Sequence, residues 1–153
     1  MIVKIKKLSD DAIVPVKATD GSAAYDLYAP CDMLIKPGRQ VVDLRIAIEL
    51  PLGYEAKIEP RSGYSSKGFA GAAASDMEPD MRFDCDVIVG KIDSDYRGPV
   101  GVIVCNRDKA FFVKRGQRIA QLTIYSVGIA DFVECDKLSD TERSIGGFGH
   151  TGR

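Results

Sequence analysis

The chain has 153 residues, is 45% hydrophobic and carries a formal net charge of −1. That length suits one domain with a real core, and the near-neutral balance supplies neither a basic field to recruit nucleic acid nor an acidic tail. No apolar run approaches bilayer-spanning length, and Met1-Ile2-Val3-Lys4-Ile5-Lys6-Lys7 alternates apolar and basic residues where a signal peptide needs a continuous apolar region. The expectation is a cytoplasmic protein that stays where it is made, with no nucleic-acid or membrane partner.

The first strand signal is Val3-Lys4-Ile5-Lys6, and Ile13-Val14-Pro15-Val16 reads as an edge strand because its proline cannot donate to a ladder. Asp20-Gly21 marks a turn. In Ala23-Ala24-Tyr25-Asp26-Leu27-Tyr28-Ala29 the alternation predicts a strand with Asp26 inside it and no cation beside it in sequence. An unpaired buried carboxylate is costly, so Asp26 faces either water or a ligand.

Arg45 to Leu50 places Ile46, Ile48 and Leu50 on one face, and Tyr54 to Glu59 alternates again after the Pro51-Leu52-Gly53 turn. A strand–turn rhythm of about ten residues suggests a sandwich, jelly roll or barrel. Pro60-Arg61-Ser62-Gly63-Tyr64-Ser65-Ser66-Lys67-Gly68 breaks it. This segment reads in two ways. It can offer N–H groups, hydroxyls and a guanidinium to an anion, or Ser62 can cap a short helix through Lys67 with Arg61 solvated.

Phe69 to Asp86 is small, acidic and weakly patterned, and is expected to be a long surface loop with at most a short helical piece. Further strands are expected at Ala110–Lys114, Arg118–Tyr125 and Ile129–Cys135. Cys31, Cys85, Cys105 and Cys135 are widely spaced and His150 is the sole histidine, which argues against a zinc site. All four cysteines are expected to be reduced thiols, Cys105 as a small core residue.

The densest chemistry lies at Gly90-Lys91-Ile92-Asp93-Ser94-Asp95-Tyr96-Arg97-Gly98. It sits between the apolar runs Val87-Ile88-Val89 and Val100-Gly101-Val102-Ile103-Val104 and reads as a β-hairpin. Asp, Ser and Gly are ordinary turn residues. Two carboxylates, a ring and a guanidinium within five residues exceed what a turn needs. The tail from Asp136 to Arg153 has too many glycines for a stable helix. It reads either as a loose terminus or as an arm whose Arg143 and Phe148 close over a phosphate and a flat ring.

Five of these segments, in order, resemble the motifs of the trimeric dUTP pyrophosphatase (dUTPase) family: Ala23–Leu27, Pro60–Gly63, Gly90–Gly98, Arg115–Leu122 and Arg143–Gly152. The resemblance implies an all-β, jelly-roll or β-clip barrel over residues 1–136, an insertion at about 69–86, and a flexible C-terminal arm over 137–153. It implies a homotrimer with shared active sites, the arm of one subunit closing over a site formed by the others.

It also implies hydrolysis of dUTP to dUMP and pyrophosphate by water attack on the α-phosphorus, in dUTP removal and dTTP precursor supply. Asp93 matches the aspartate that activates the water, a role suited to a carboxylate, and Gln121 the glutamine near the α-phosphate. Tyr96 matches the ring beneath the deoxyribose, and Gly90 and Gly101 the backbone positions that read uracil. Arg61, Ser62 and Gly63 match phosphate contacts. Arg143, Gly149 and Thr151 match γ-phosphate contacts, and Phe148 matches the ring over the base.

Mg²⁺ is implied as cofactor, held mainly by phosphates and water, with Asp26 meeting it through water. Ala24 stands in place of glycine, His150 in place of serine, and Tyr64 in place of an aliphatic residue. His150 can still donate to a phosphate. The longer 69–86 segment resembles insertions in some viral members, in which case the setting is host cytoplasm. Two other readings compete: a dCTP deaminase relative, disfavoured by Gly63 where a second serine is expected, and a nucleotide-binding regulatory protein with the insertion as its partner surface.

Overall fold

The computed structural model describes residues 1–73 and 81–146. In chain order the strands are β1 (Lys4–Lys7), β2 (Tyr25–Tyr28), β3 (Met33–Ile35), β4 (Gly38–Asp43), β5 (Ile46–Glu49) and β6 (Tyr54–Glu59). One helical turn and a half, α1 (Ser62–Lys67), precedes β7 (Phe69–Ala73), β8 (Met81–Phe83), β9 (Cys85–Ile88), β10 (Gly90–Ile92), β11 (Gly101–Asn106), β12 (Phe111–Val113) and β13 (Arg118–Ser126). Among the described residues the strands form four small sheets, with strand orders β1-β5, β10-β6-β13-β2, β4-β11-β9 and β3-β12-β7-β8. This is the expected all-β, jelly-roll type of fold.

Alternation along the strands builds the core. Val102 and Val104 of β11 are buried while Gly101, Ile103 and Cys105 face outward. Leu27, Leu44, Ile46 and Ile119 join the same interior. An aromatic row runs through it: Phe83 stacks on Phe111 at 4.2 Å, Phe111 meets Phe69 at 5.6 Å, and Phe69 meets Tyr64 of α1 at 4.3 Å.

That row changes the reading of the segment expected as a loop. Phe69–Ala73 pairs with both β12 and β8, and Phe69, Ala72, Ala73 and Phe83 are buried. Residues 74–80 of the same stretch lie outside the described residues. The composition misleads because the small residues are there for packing. A Cβ on Gly71 would lie 2.4 Å from the Phe111 ring and 2.9 Å from the Phe112 carbonyl oxygen.

Other expectations also change. Ile129–Cys135 forms no strand; Ile129, Phe132 and Val133 are strongly exposed. The stretch around Val14 contributes only an isolated bridge between Val16 and Asp26. Ser62 does not cap α1. Arg61 occupies the cap position in extended backbone and makes no side-chain cap bond. Cys105 is half-buried, and the deeply buried thiol is Cys85. The four cysteines are free, as expected.

Candidate active site

The hairpin holds, but its arms part. Val87 and Ile88 pair with Val104 and Ile103 in one sheet, whereas Gly90–Ile92 leaves that ladder and pairs with β6 in another. The divergence opens a cleft of about 450 Å³ lined by Gly90, Ile92, Tyr96, Gly101 and Ile103. A Cβ on Gly101 would lie 2.5 Å from the Val41 side chain, so a larger residue here would displace that exposed valine. The tip is a turn in which the Tyr96 N–H donates to the Asp93 carbonyl at 3.2 Å. Arg97 braces it, its Nη1 donating to the carbonyls of Ser94 at 2.6 Å and Tyr96 at 2.9 Å.

A second cavity, about 650 Å³, gathers Asp26, Glu59, Arg61, Ser62, Gly63 and Gln121. Register builds it. Gln121 on the central strand β13 lies opposite Asp26 on β2 and Glu59 on β6, so all three share one sheet face. Pro60 then ends β6 and delivers Arg61 to that face. Its Nε donates to Asp26 Oδ1 at 2.9 Å, and Arg118 Nη1 approaches Asp26 Oδ2 at 3.5 Å.

Asp26 is only 8% exposed, and the two guanidinium groups offset the cost of burying it. The cation that the local sequence lacks comes from a segment 35 residues away. Among the described residues Arg61 uses only Nε on Asp26, leaving the rest of its fork for an anion. Ser62 and Gly63, in the first turn of α1, are exposed beside it.

Asp93 lines neither cavity, although it shares the tip turn with Tyr96. It lies with Glu55, Lys91 and Ser94 at a separate hollow of about 260 Å³. Glu55 is clamped between Lys91 and Lys57. The Lys91 hydrogen bond, with help from Lys57, holds the Glu55 carboxyl below its usual range, and Lys91 is raised in return. Arg143 lies on the exposed segment after β13, its Nε donating to the Gly146 carbonyl at 2.9 Å. Phe148, Gly149, His150 and Thr151 lie outside the described residues.

The fold therefore unites Gly90, Tyr96 and Gly101, and separately Asp26, Arg61, Ser62, Gly63 and Gln121. Arg143 stands apart from both, and Asp93 is joined to the first group through the tip turn it shares with Tyr96. Ile92 pairs with Ala56 and Gln121 with Glu59, so Asp93 and Gln121 stand about four residues apart along β6 and two strands across. Standard strand spacings make that on the order of 15 Å.

Sequence reasoning missed Arg118 on Asp26. It also missed Tyr64, whose hydroxyl donates to the Arg118 carbonyl at 2.7 Å and accepts from Gln117 Nε2 at 3.1 Å. The only available signal was a buried-type aromatic beside Arg61, with nothing local to name its partners.

A dUTPase family profile matches residues 10–152. The chain is 41% identical to the deoxyuridine 5'-triphosphate nucleotidohydrolase of Nautilia profundicola, covering all of both chains. It is 42% identical to that of Arabidopsis thaliana, over 97% of this chain and 82% of the relative. Among solved structures, the dUTPase of Staphylococcus bacteriophage 80alpha with dUpNHpp superposes with a TM-score of 0.84 at 23% identity, covering 99% of each chain. That of phage phi11, described with a structural Mg(II) ion, gives 0.75 at 19% identity over 90% of this chain and 98% of its own. The profile spans all five ordered motifs, and the Nautilia relative matches over its whole length. On those grounds this chain belongs to the dUTPase family.

Proposed function

We propose that the chain is a dUTP diphosphatase that hydrolyses dUTP to dUMP and pyrophosphate, removing dUTP and supplying the dTTP precursor. The observation that carries this is the pairing of two complementary half-sites on one chain. One is a glycine-walled hairpin cleft with an aromatic ring at its mouth. The other is an arginine-bearing anion site with Gln121 at its centre.

In the hairpin cleft, backbone groups at Gly90 and Gly101 read uracil, and the Tyr96 ring packs beneath the deoxyribose where a 2'-hydroxyl would need room. Polar groups left unpaired by the wrong base give such a site its selectivity. Arg61, Ser62 and Gly63 hold the phosphates. Asp93 accepts a hydrogen bond from the attacking water and takes up its proton as the new O–P bond forms at the α-phosphorus. The bond to the bridging oxygen breaks and pyrophosphate leaves. Gln121 orients the water and the α-phosphate. Arg143, Phe148, Gly149, His150 and Thr151 close the site from the arm.

The functional unit is a homotrimer with shared sites. The support is geometric: Asp93 and Gln121 stand too far apart on one chain to touch one α-phosphate. Mg²⁺ is the cofactor. Both Asp26 oxygens face guanidinium groups, which fits contact with a hydrated ion through water and not direct ligation. When bound, the ion supplies charge neutralisation on the triphosphate.

Among the described residues no helix is long and apolar enough to cross a membrane. The cytoplasm, or host cytoplasm for a phage protein, is the proposed setting. Pyrophosphate release from dUTP, dTTP, dCTP and UTP with Mg²⁺, measured side by side, tests the proposal. Turnover of dUTP alone is expected, and turnover of none would overturn it.

A further inference from the structure

Gly98 closes the hairpin tip, and its backbone does not require glycine, because its φ lies outside the left-handed region. Space does require it. A Cβ at this position would stand 2.3 Å from the Tyr96 hydroxyl oxygen, 2.6 Å from Cζ and 3.0 Å from Cε2. The Tyr96 ring therefore lies directly on the bare Cα of Gly98.

Two further restraints act on the same ring. Its hydroxyl donates to the Pro99 carbonyl at 3.0 Å. Its own carbonyl is held by Arg97, which also grips Ser94, so the backbone beneath the ring cannot shift freely. The ring is 44% exposed and has open solvent to swing into. A methyl group at position 98 would thus move the ring before it moved the backbone.

We infer that Gly98 is a positioning residue for sugar selection: its missing side chain is the seat that holds the Tyr96 ring against the hairpin cleft. The inference rests on the proposed role of Tyr96 as the surface beneath the deoxyribose. With the seat filled, the Tyr96 hydroxyl loses Pro99, the ring tilts outward, and the space denied to a 2'-hydroxyl opens. The base-reading backbone at Gly90 and Gly101 belongs to β10 and β11 and stays in place. The defect should appear in the sugar preference and leave the base preference intact.

The test is a double-mutant cycle with Gly98→Ala, Tyr96→Ala and the pair, reading the ratio of kcat/KM for dUTP over UTP. Competition by dUMP against UMP reads the same preference without turnover. Gly98→Ala should lower the dUTP:UTP ratio by roughly tenfold or more, the scale expected when one group's fit is lost, while dUTP remains preferred over dCTP. In the Tyr96→Ala background the same substitution should have no further effect.

If Gly98→Ala folds only in the pair, Tyr96→Phe, which keeps the ring and removes its bond to Pro99, carries the test: a lowered dUTP:UTP ratio supports the seat and an unchanged one overturns it. If Tyr96→Ala changes the ratio and Gly98→Ala does not, the inference falls and the Tyr96 reading stands. If Tyr96→Ala leaves the ratio unchanged, both fall. An equal effect of Gly98→Ala with and without the ring would also overturn it.

Discussion

Asp93 and Tyr96 are the two ends of one turn, joined by the hydrogen bond from the Tyr96 N–H to the Asp93 carbonyl at 3.2 Å. The residue assigned to the water and the residue assigned to the sugar are thus set by a single backbone unit. Tyr96 lines the cleft between β10 and β11, and Asp93 lines a neighbouring hollow that shares Lys91 with that cleft. A turn of this kind couples the two roles without their touching.

Shared sites make a specific prediction. Asp93→Asn and Arg61→Ala should each lose most dUTP turnover as pure proteins. Refolded together, they should regain a measurable part of it, because a mixed trimer can assemble one site from an intact hairpin and an intact anion half. Absence of any recovery in a mixture shown to exchange subunits would count against the shared-site arrangement.

The β7–β12 contact predicts a packing defect far from the site. Gly71→Ala pushes a methyl group into the Phe111 ring and against the backbone oxygen of Phe112. Overpacking of this kind costs about 1–3 kcal/mol. Urea unfolding should show that loss with an unchanged slope. The same contact bears on the partner-surface reading of the insertion. Deleting residues 72–79 removes the pairing of Ala72 with Phe112 and of Ala73 with Phe111, so it should destabilise the core.

Acid stability has a definable contributor in Glu55. Its folded pKa lies below the ordinary value of 4.5, chiefly through the Lys91 hydrogen bond. A depressed carboxylate stabilises the fold above its unfolded pKa and loses that contribution as pH falls through the folded one. Glu55→Gln should therefore flatten the decline in urea midpoint below about pH 4.5 relative to the parent. Asp32 and Glu49 are also lowered, by Arg115 with Lys114 and by Lys4 respectively, so part of the decline should survive the substitution. An unchanged slope in Glu55→Gln would refute the assignment.

Thiol reactivity should follow burial. The Cys85 thiol is pushed up to about 12, mainly by desolvation and then by the negative charge of Asp86. At pH 8 it is almost wholly protonated and inert. A thiol reagent should label exposed Cys135 first and reach Cys85 only on unfolding. Early modification at Cys85, located by peptide mapping, would contradict the structure.

Short-range pattern carried much of the fold. β5, β6 and β13 follow from alternating apolar residues, β12 from a short apolar run, and the hairpin from two apolar runs around a charged, glycine-bounded tip. Local pattern failed where a distant partner, or the lack of one, decided the outcome. Ala70-Gly71-Ala72-Ala73 has little strand propensity, yet it is a strand because Phe111 needs the space. Ile129–Cys135 has a strand-like pattern, yet it pairs with nothing among the described residues.

The sequence by itself determined the chemistry: five ordered motifs, their carboxylate, guanidinium, amide and aromatic groups, and the strand rhythm that holds them. Those properties are local, and composition and spacing express them. Tertiary structure alone decided which groups meet. It placed Arg61 and Arg118 on Asp26 and put Asp93 and Gln121 at different ends of one sheet. Each of these contacts joins elements through strand register or packing, and register is fixed only when the whole core closes.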